Sequence, residues 1–413
     1  MDISNIGELI AETLDLQEPW QIERVKFNAE SHQVDIFVTI KESAEFACPK
    51  CGKTAKRHGY EKTERAWRHA DILFCPTYVH CKRPKIKCEN CGVKQVNAPW
   101  ERKNSRYTYL FEGYTVFLAQ NMAIRKVEQA IKIDEKAVVN IMKYWVNKAV
   151  DKMDLSALSK IAVDETSFKK GHKYVTLIID LLERKVIDIE DGRTADTIDK
   201  FKVFLESHGG NAERITTAVS DMSKSYLAGI ANNFPNAMHV IDKFHVKQLL
   251  TKAMDEVRRE EQRESAEKLE IFRGRRLLMI PQDRQTEQQK AKTANISKVY
   301  PKTGRAFQIV STFDEFYRIH DYQQAEGALN KLISWMRRCR LQPMKDAAQT
   351  LKNKADLILN YFIERVTNAI CEGLNSMVQA AKRRARGYNT FEGYKTMIYM
   401  AVGKLQLECP NLW

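Results

Sequence analysis

A chain of 413 residues is longer than one ordinary hydrophobic core serves, and a hydrophobic content of 44% places it among packed multidomain proteins rather than disordered ones. It has no run of about 18 apolar residues, which excludes a helical membrane protein, and the acidic opening MDISNIGELIAETLDL lacks the basic start of a secretion signal, so the sequence predicts a cytoplasmic protein. The net charge of +14 points to a polyanionic partner, and residues 41–108 carry most of the excess, with 16 Lys/Arg against 7 Asp/Glu.

In residues 20–40, apolar and polar positions alternate on both sides of a polar turn, which predicts a β-hairpin. Six of the nine cysteines follow, between Cys48 and Cys91. Without a secretion signal, clustered cysteines read as metal ligands rather than disulfides. Cys48-Pro-Lys-Cys51-Gly52 and Cys88-Glu-Asn-Cys91-Gly92 each set two thiolates on one tight turn, and the glycine gives the backbone freedom that the turn needs. Four sulfurs suit a structural, tetrahedral Zn²⁺ and leave no open position for catalysis. The 36 residues between Cys51 and Cys88 exceed the spacing of a compact zinc ribbon and predict a further small sheet, for which WRHADI and PTYVHCKRPKIKC have the alternation. Cys75 and Cys81 read as packed thiols outside the metal set. Lys53, Lys56, Arg57, Lys82, Arg83, Lys85 and Lys87 are candidate phosphate contacts, each equally consistent with a solvated basic face.

Residues 111–150 are helical by period. Residues 125–132 read as a short helix, Ile133-Asp134-Glu135 as a turn with Asp134 as N-cap, and residues 136–150 as a second helix. Val138, Ile141, Met142, Trp145, Val146 and Ala149 form its apolar face. Two helices on a three-residue turn fit a helix-turn-helix, with Lys136, Asn140 and Lys143 on the polar side that meets the major groove; an ordinary helix pair has the same signature.

Short apolar runs over 160–190 predict three strands, the middle one buried. A helix over 196–207, a strand over 214–221, a helix over 224–232 and a strand in AMHVIDKFHV follow, with a helix from about Val246. Residues 255–300 are charge-rich and helical, broken near Pro281 and Pro301; 313–355 are helical again, and a last helix covers 360–386. The expected fold is multidomain α+β: a hairpin plus zinc-binding module (1–104), a helix-turn-helix (105–152), an α/β core (153–250), a helical insertion (251–355) and completion of the core (356–413).

Asp164 closes the run Ile161-Ala162-Val163, and Asp221 closes Thr216 to Ser220, which predicts two carboxylates at the lip of one sheet. Such a pair repels unless a cation lies between, and hard oxygen donors favour Mg²⁺ or Mn²⁺. A third acid is expected from a helix packed on the sheet. Ile370, Leu374, Met377, Val378 and Ala381 predict its buried stripe, and Glu372 lies off it, beside Asn368, Asn375, Ser376, Gln379 and Arg383. The same helix ends in Lys382-Arg383-Arg384-Ala385-Arg386, where Arg383, Arg384 and Arg386 are candidate DNA contacts. Asp180, on the strand paired with that of Asp164, reads as a further acid near the lip but not as a ligand. Three carboxylates can clamp two metal ions for phosphoryl transfer by in-line displacement.

These segments together resemble the DDE transposases of the ISL3 insertion-sequence type. Val163-Asp164-Glu165-Thr166-Ser167-Phe168-Lys169-Lys170-Gly171 is similar to the first-acid motif and Ser220-Asp221-Met222-Ser223 to the second. Val240-Ile241-Asp242-Lys243-Phe244-His245-Val246 matches the segment that follows, and Asn368 to Ser376, continuing to Tyr388, is similar to the third-acid helix. Ala369-Ile370-Cys371 departs from the Arg-Val type pair common before the third acid. The resemblance implies an RNase H-like core over 155–250 and 356–400, with an insertion in the 151 positions from Asp221 to Glu372. It further implies binding to the element's terminal repeats, Mg²⁺-dependent cutting and joining of double-stranded DNA, and a homo-oligomer that holds two ends. For Asp242 and His245 it suggests a place near the site; a hydrogen-bonded pair at a helix start is the other reading. Two further functional readings stay open: a regulator or decayed transposase that binds without cutting, and a nuclease that cuts without joining.

Overall fold

In a computed structural model that describes all residues except 1–5, 170–172, 266–271, 273, 367–368, 386–387, 389 and 410–413, the alternation of residues 20–40 becomes a hairpin. After α1 (Ile6–Thr13), β1 (Trp20–Asn28) and β2 (Gln33–Ile40) pair antiparallel, and β2 buries Val34, Ile36, Val38 and Ile40 on one face. Next come β3 (Glu45–Ala47), β4 (Thr54–Tyr60), β5 (Arg65–Ile72), β6 (Cys75–Cys81), β7 (Pro84–Cys88) and β8 (Gly92–Gln95). They make two sheets, ordered β1-β2-β6-β5 and β3-β4-β7-β8. The long segment between the cysteine pairs thus does not fold as a sheet of its own. Its hairpin β5–β6 joins the N-terminal hairpin through a parallel β2–β6 pairing. The apolar faces meet around Trp100, whose ring stands edge-on to Trp20 (5.3 Å) and Trp67 (5.6 Å).

Three helices follow: α2 (Tyr109–Asn121), α3 (Ile124–Ile131) and α4 (Glu135–Val150). Asp134 caps α4 through the Ala137 N–H (2.8 Å), and Val138, Ile141, Met142, Trp145 and Val146 are its buried face. Glu112 of α2 is fully buried and accepts from Trp145 Nε1 (2.9 Å), Arg102 Nε (2.8 Å) and Ser105 Oγ (2.6 Å). A buried carboxylate is tolerable only with such a complete set of donors. Met1–Asp151 form one compact unit, to which the tail Leu405–Trp413 also belongs; Lys148 Nζ pairs with Glu408 at 3.1 Å.

The second unit is Lys152–Lys404. It opens with β9 (Lys160–Lys169), β10 (Lys173–Asp180) and β11 (Lys185–Asp191), then α5 (Ala195–Ser207), β12 (Thr217–Ser220), α6 (Lys224–Asn233), β13 (Met238–Ile241) and α7 (Lys243–Glu264). The sheet order is β11-β10-β9-β12-β13. β10 pairs antiparallel with both β11 and β9, and β12 and β13 run parallel to β9. Ile161, Val163, Ile178 and Ile187 face Ile198, Phe201, Leu205, Tyr226 and Ile230 of α5 and α6. The alternate residues of β9 face the other way, toward the last helices.

α7 starts three residues earlier than the sequence suggested, because the Asp242 side chain caps it through the Phe244 N–H (2.9 Å). It leads into α8 (Arg275–Leu278), α9 (Glu287–Val299), α10 (Pro301–Phe316), α11 (Tyr322–Arg338) and α12 (Gln342–Asn353). Pro301 stands in the first turn of α10, where its missing N–H costs nothing. The chain returns to the sheet at α13 (Ala355–Leu359) and α14 (Tyr361–Glu364); Asn360 Nδ2 donates to the His239 carbonyl (2.8 Å). The single last helix expected over 360–386 is several elements instead. Arg365, at φ 51°, ends α14; α15 (Ala369–Arg384) starts after it, and an unanticipated α16 (Phe391–Val402) lies over β11.

Candidate active site and metal centre

Asp164 is not at the end of β9, which continues past it as a long hairpin arm to Lys169. It lies where the parallel half of the sheet stops. The last paired positions are Val219 with Ala162 and Ser220 with Ile241. Continuing that register brings Asp221 level with Asp164 on one side and Asp242 on the other. Positions 164, 221 and 242 thus follow one another across strand ends, in a sheet whose neighbouring strands are about 4.8 Å apart. Asp221 Oδ1 accepts from the Ser223 N–H (2.8 Å), which fixes the turn into α6. Asp180 is not near this lip: antiparallel pairing sets it opposite Ile161, at the far end, where it accepts from the Leu182 and Glu183 N–H groups (2.9 and 3.1 Å).

Burial raises the Asp164 carboxyl to about 6; the charges of Asp242 and Asp221 add to the rise, and the Glu165 N–H and His245 oppose it. His245 Nε2 lies 3.6 Å from Asp242 Oδ2, so this pair forms the start of α7 and also faces the acid row. His239, on β13 beneath the row, is held down at about 4 by burial and meets Ser220 Oγ at 2.8 Å. Lys354 Nζ donates to the Met222 carbonyl (2.8 Å) beside Asp221.

α15 docks on β9 through polar side chains. Asn375 Nδ2 donates to Asp164 Oδ2, Gln379 Nε2 to Thr166 Oγ1, and Lys382 Nζ to Ser167 Oγ (3.0 Å). Asp164 and Thr166 are alternate residues of β9, so the strand's period of two meets the helix's spacing of 375, 379 and 382. Sequence reasoning placed Asn375 and Gln379 beside Glu372 but gave them no role; their contacts cross more than 200 positions and leave no local signal. Glu372 lies on the same stripe, one turn before Asn375, and is exposed. Among the described residues, the oxygens of Asp164, Asp221 and Glu372 do not gather within 4.8 Å of one another as the four cysteine sulfurs do. The buried stripe of α15 is Cys371, Leu374, Val378 and Ala381; Met377, expected within it, is 52% exposed. Asn368 and Arg386 lie outside the described residues.

The sulfurs of Cys48, Cys51, Cys88 and Cys91 all lie within 4.8 Å of one another, with Cys51 and Cys88 3.5 Å apart. They come from the β3–β4 and β7–β8 turns. Gly52 and Gly92 take φ of 75° and 71°, the left-handed region that a side chain resists. Backbone N–H groups of Lys50 and Cys51 lower the Cys48 thiol to about 7, whereas hydrogen bonding to the Cys51 sulfur first, then burial, raises Cys91 to about 12. Four thiolates this close need a cation to ionise together. Cys75 and Cys81 are outside the cluster; burial pushes Cys81 to about 12.

On α4, Lys136 and Asn140 are exposed and Lys143 is half-buried, all along one side. Arg383 and Arg384 are exposed in the last turn of α15. Of the basic residues in the cysteine module, Arg83 is half-buried and binds Glu61 (3.1 Å) and Glu101 (3.0 Å), which makes it a brace of the fold rather than a free phosphate contact. Lys53, Lys56, Lys82 and Lys87 are exposed, whereas Lys85 and Arg57 are partly buried; Arg57 Nη2 donates to the Glu42 carbonyl (3.1 Å).

Residues 161–398 match the ISL3 family described as "Transposase", and residues 44–91 match the zinc finger of transposases of IS204, IS1001, IS1096 and IS1165. The chain is 24% identical over 395 residues to the transposase for insertion sequence element IS1557 of Mycobacterium tuberculosis, covering 88% of this chain and 87% of that one. It is 25% identical over 392 residues to the transposase for insertion sequence element IS1001 of Bordetella parapertussis, covering 93% and 95%. No helix among the described residues is long and apolar enough to cross a membrane. With four cysteine sulfurs gathered in the matched ribbon, and a match over 161–398 that takes in the five-stranded sheet and α15, this chain belongs to the ISL3 family of transposases.

Proposed function

We propose that the protein is an active DDE-type transposase, which binds the terminal repeats of its element and cuts and joins DNA at Asp164, Asp221 and Glu372. What supports this is the pairing of Val219 with Ala162, a register that, continued by two residues, sets Asp221 beside Asp164, together with the fastening of the Glu372 helix to Asp164 by Asn375. Three antiparallel strands followed by two parallel ones, with helices on both faces, support an RNase H-like reading of the core.

The donor set fits divalent cations. Carboxylate oxygens are hard ligands, and Asp164, raised chiefly by burial with Asp242 and Asp221 adding to the rise, would be favoured in its ionised form by a cation. Asp164 and Asp221, with Glu372 from α15, would hold Mg²⁺ or Mn²⁺, whose bound water is more acidic and whose charge offsets that of the phosphodiester oxygens. Asn375 holds the Asp164 carboxylate in place from α15, and Ser223 does the same for Asp221 through its N–H. His245 sets a second nitrogen near the row. The four cysteines fit Zn²⁺ as a folding element, because no thiolate position is left open. Recognition of the repeat is assigned to the ribbon's exposed lysines and to α4 as second helix of a helix-turn-helix, through Lys136, Asn140 and Lys143. Arg383, Arg384 and Arg386 would meet backbone phosphates, and two copies would hold the two ends.

The test is cleavage of a duplex carrying the element's terminal repeat with Mg²⁺ by wild type and by Asp164→Ala, Asp221→Ala and Glu372→Ala. Nicking by wild type, with the three variants binding but not cutting, supports the reading. Equal cutting by the variants refutes the site, and tight binding without any cutting makes the chain a DNA-binding remnant. Joining of the new 3′-hydroxyl to a second duplex separates transfer from hydrolysis.

A further inference from the structure

The exposed side of α7 carries features that the acid row does not use. One cavity of about 490 Å³ is bounded by Asp221, Met222, Ser223 and His245, and also by Gln248 and Lys252 of α7. Gln248 and Lys252 bound a second cavity as well, of about 470 Å³, which extends away from the acids toward Arg259, Arg275 and Met279. The two share a wall, so a groove leads from Asp221 along the helix. Phe244, which bounds the second cavity, is 49% exposed in the first turn of the helix, whereas Val246, Leu250, Met254 and Val257 are buried. The Phe244 ring meets the His245 ring edge-on (5.7 Å, 86°), which leaves a face open. The open face of this ring, on a cavity that cations also line, can take a ligand with a flat apolar face.

The charges point to the class of that ligand. Lys252 makes no ion pair among the described residues and is exposed. Arg259 and Arg275 share Asp255 (2.8 and 3.5 Å), which Arg258 already holds at 2.8 Å, so the wall keeps a cationic surplus even with Glu256 counted. Aromatic faces with neighbouring cations are how proteins hold unpaired nucleotides, the ring taking a base and the cations the backbone.

We infer that this groove seats a DNA strand where it leaves the acid row, with one unstacked base on Phe244 and phosphates against Lys252 and Arg259. The inference rests on the reading of Asp164 and Asp221 as the cutting site. It assigns the start of α7 a role in opening the duplex next to the scissile bond, for which an aromatic platform compensates lost base stacking.

The test uses the full chain and a duplex of the element's terminal repeat with its flank, carrying 5-iododeoxyuridine at thymine positions around the cut. The Asp164→Asn protein is irradiated on this duplex, and the crosslinked residue is mapped by mass spectrometry. The crosslink is expected on Phe244 and is lost in Asp164→Asn/Phe244→Ala. In the otherwise intact enzyme, Phe244→Ala is expected to slow cutting roughly tenfold, about 1.4 kcal/mol, with Phe244→Trp restoring it. Since half of the ring is exposed, the truncation leaves the fold intact, which circular dichroism checks. If the wild type cuts this duplex but the crosslink maps elsewhere, or Phe244→Ala cuts at the wild-type rate, the groove is not the strand's seat and the cutting site stands. If the wild type does not cut at all, the inference falls together with the reading beneath it.

Discussion

Asp164 is the residue on which the site's electrostatics turn. Its carboxyl is raised from the usual 3.8 to about 6, by burial first and by Asp242 and Asp221 next. A folded-state value above the unfolded one means that this group's contribution is fully present below about pH 4 and is lost as pH rises through 6. A divalent cation favours the ionised form and should reverse that loss. We therefore expect Mg²⁺ to raise the melting temperature more at pH 7.5 than at pH 5, and expect Asp164→Asn to remove the difference; equal shifts at both pH values would contradict a carboxylate site. Asp242 separates structural from electrostatic roles. Asp242→Asn keeps a side chain that can cap α7, so it should melt like wild type while changing the pH profile of cutting. Asp242→Ala loses the cap as well and should cost about 1 kcal/mol in denaturant titration. If both variants cut with the wild-type profile, Asp242 is a cap alone.

At the scale of elements, the cysteine turns and α15 differ in how much the sequence discloses. Each CxxCG turn is written within five consecutive residues, so ligands, turn and glycine are legible together. Gly52→Ala should cost about 1–2 kcal/mol, since alanine must adopt φ near 75°. The loss should appear in the zinc affinity of the intact protein, measured by chelator competition; unchanged affinity would show that the turn relaxes freely. The helix carrying Glu372 was legible as a helix, because its apolar residues recur at helical spacing. Its docking was not, because Asn375 to Asp164 and Gln379 to Thr166 join positions far apart in the chain. Met377 fits the period yet faces out, as the stripe follows Cys371 instead of Ile370. α16 is not legible in the sequence because FEGYKTMIYMAV is apolar on most sides, and periodicity is silent where a helix is covered all round. Alternation predicts the strands of the β5–β6 hairpin, but its pairing with β2 is a tertiary choice that alternation does not specify. Asn375→Ala should lower the cutting rate with little change in DNA affinity, whereas Gln379→Ala, one turn further from the acids, should affect stability more than rate; the reverse pattern would place the contact to Asp164 outside catalysis.

At the scale of the molecule, the first unit is discontinuous in sequence: its last piece, Leu405–Trp413, follows the whole of the second. Truncation after Lys404 should therefore weaken the unit that holds the cysteines and α4, although the deleted residues are far from them in the chain. Limited proteolysis should show faster cleavage within residues 6–151 and unchanged resistance within 152–404; if the resistance of the first region is unaffected, the tail adds nothing to it. The discontinuity also imposes a schedule. A ribosome adds about 5–20 residues per second, so on the order of tens of seconds separate the making of Asp151 from that of Leu405. Throughout that interval, while the second unit is being made, the first unit lacks its final segment. A product that stops within the second unit therefore also lacks part of the first.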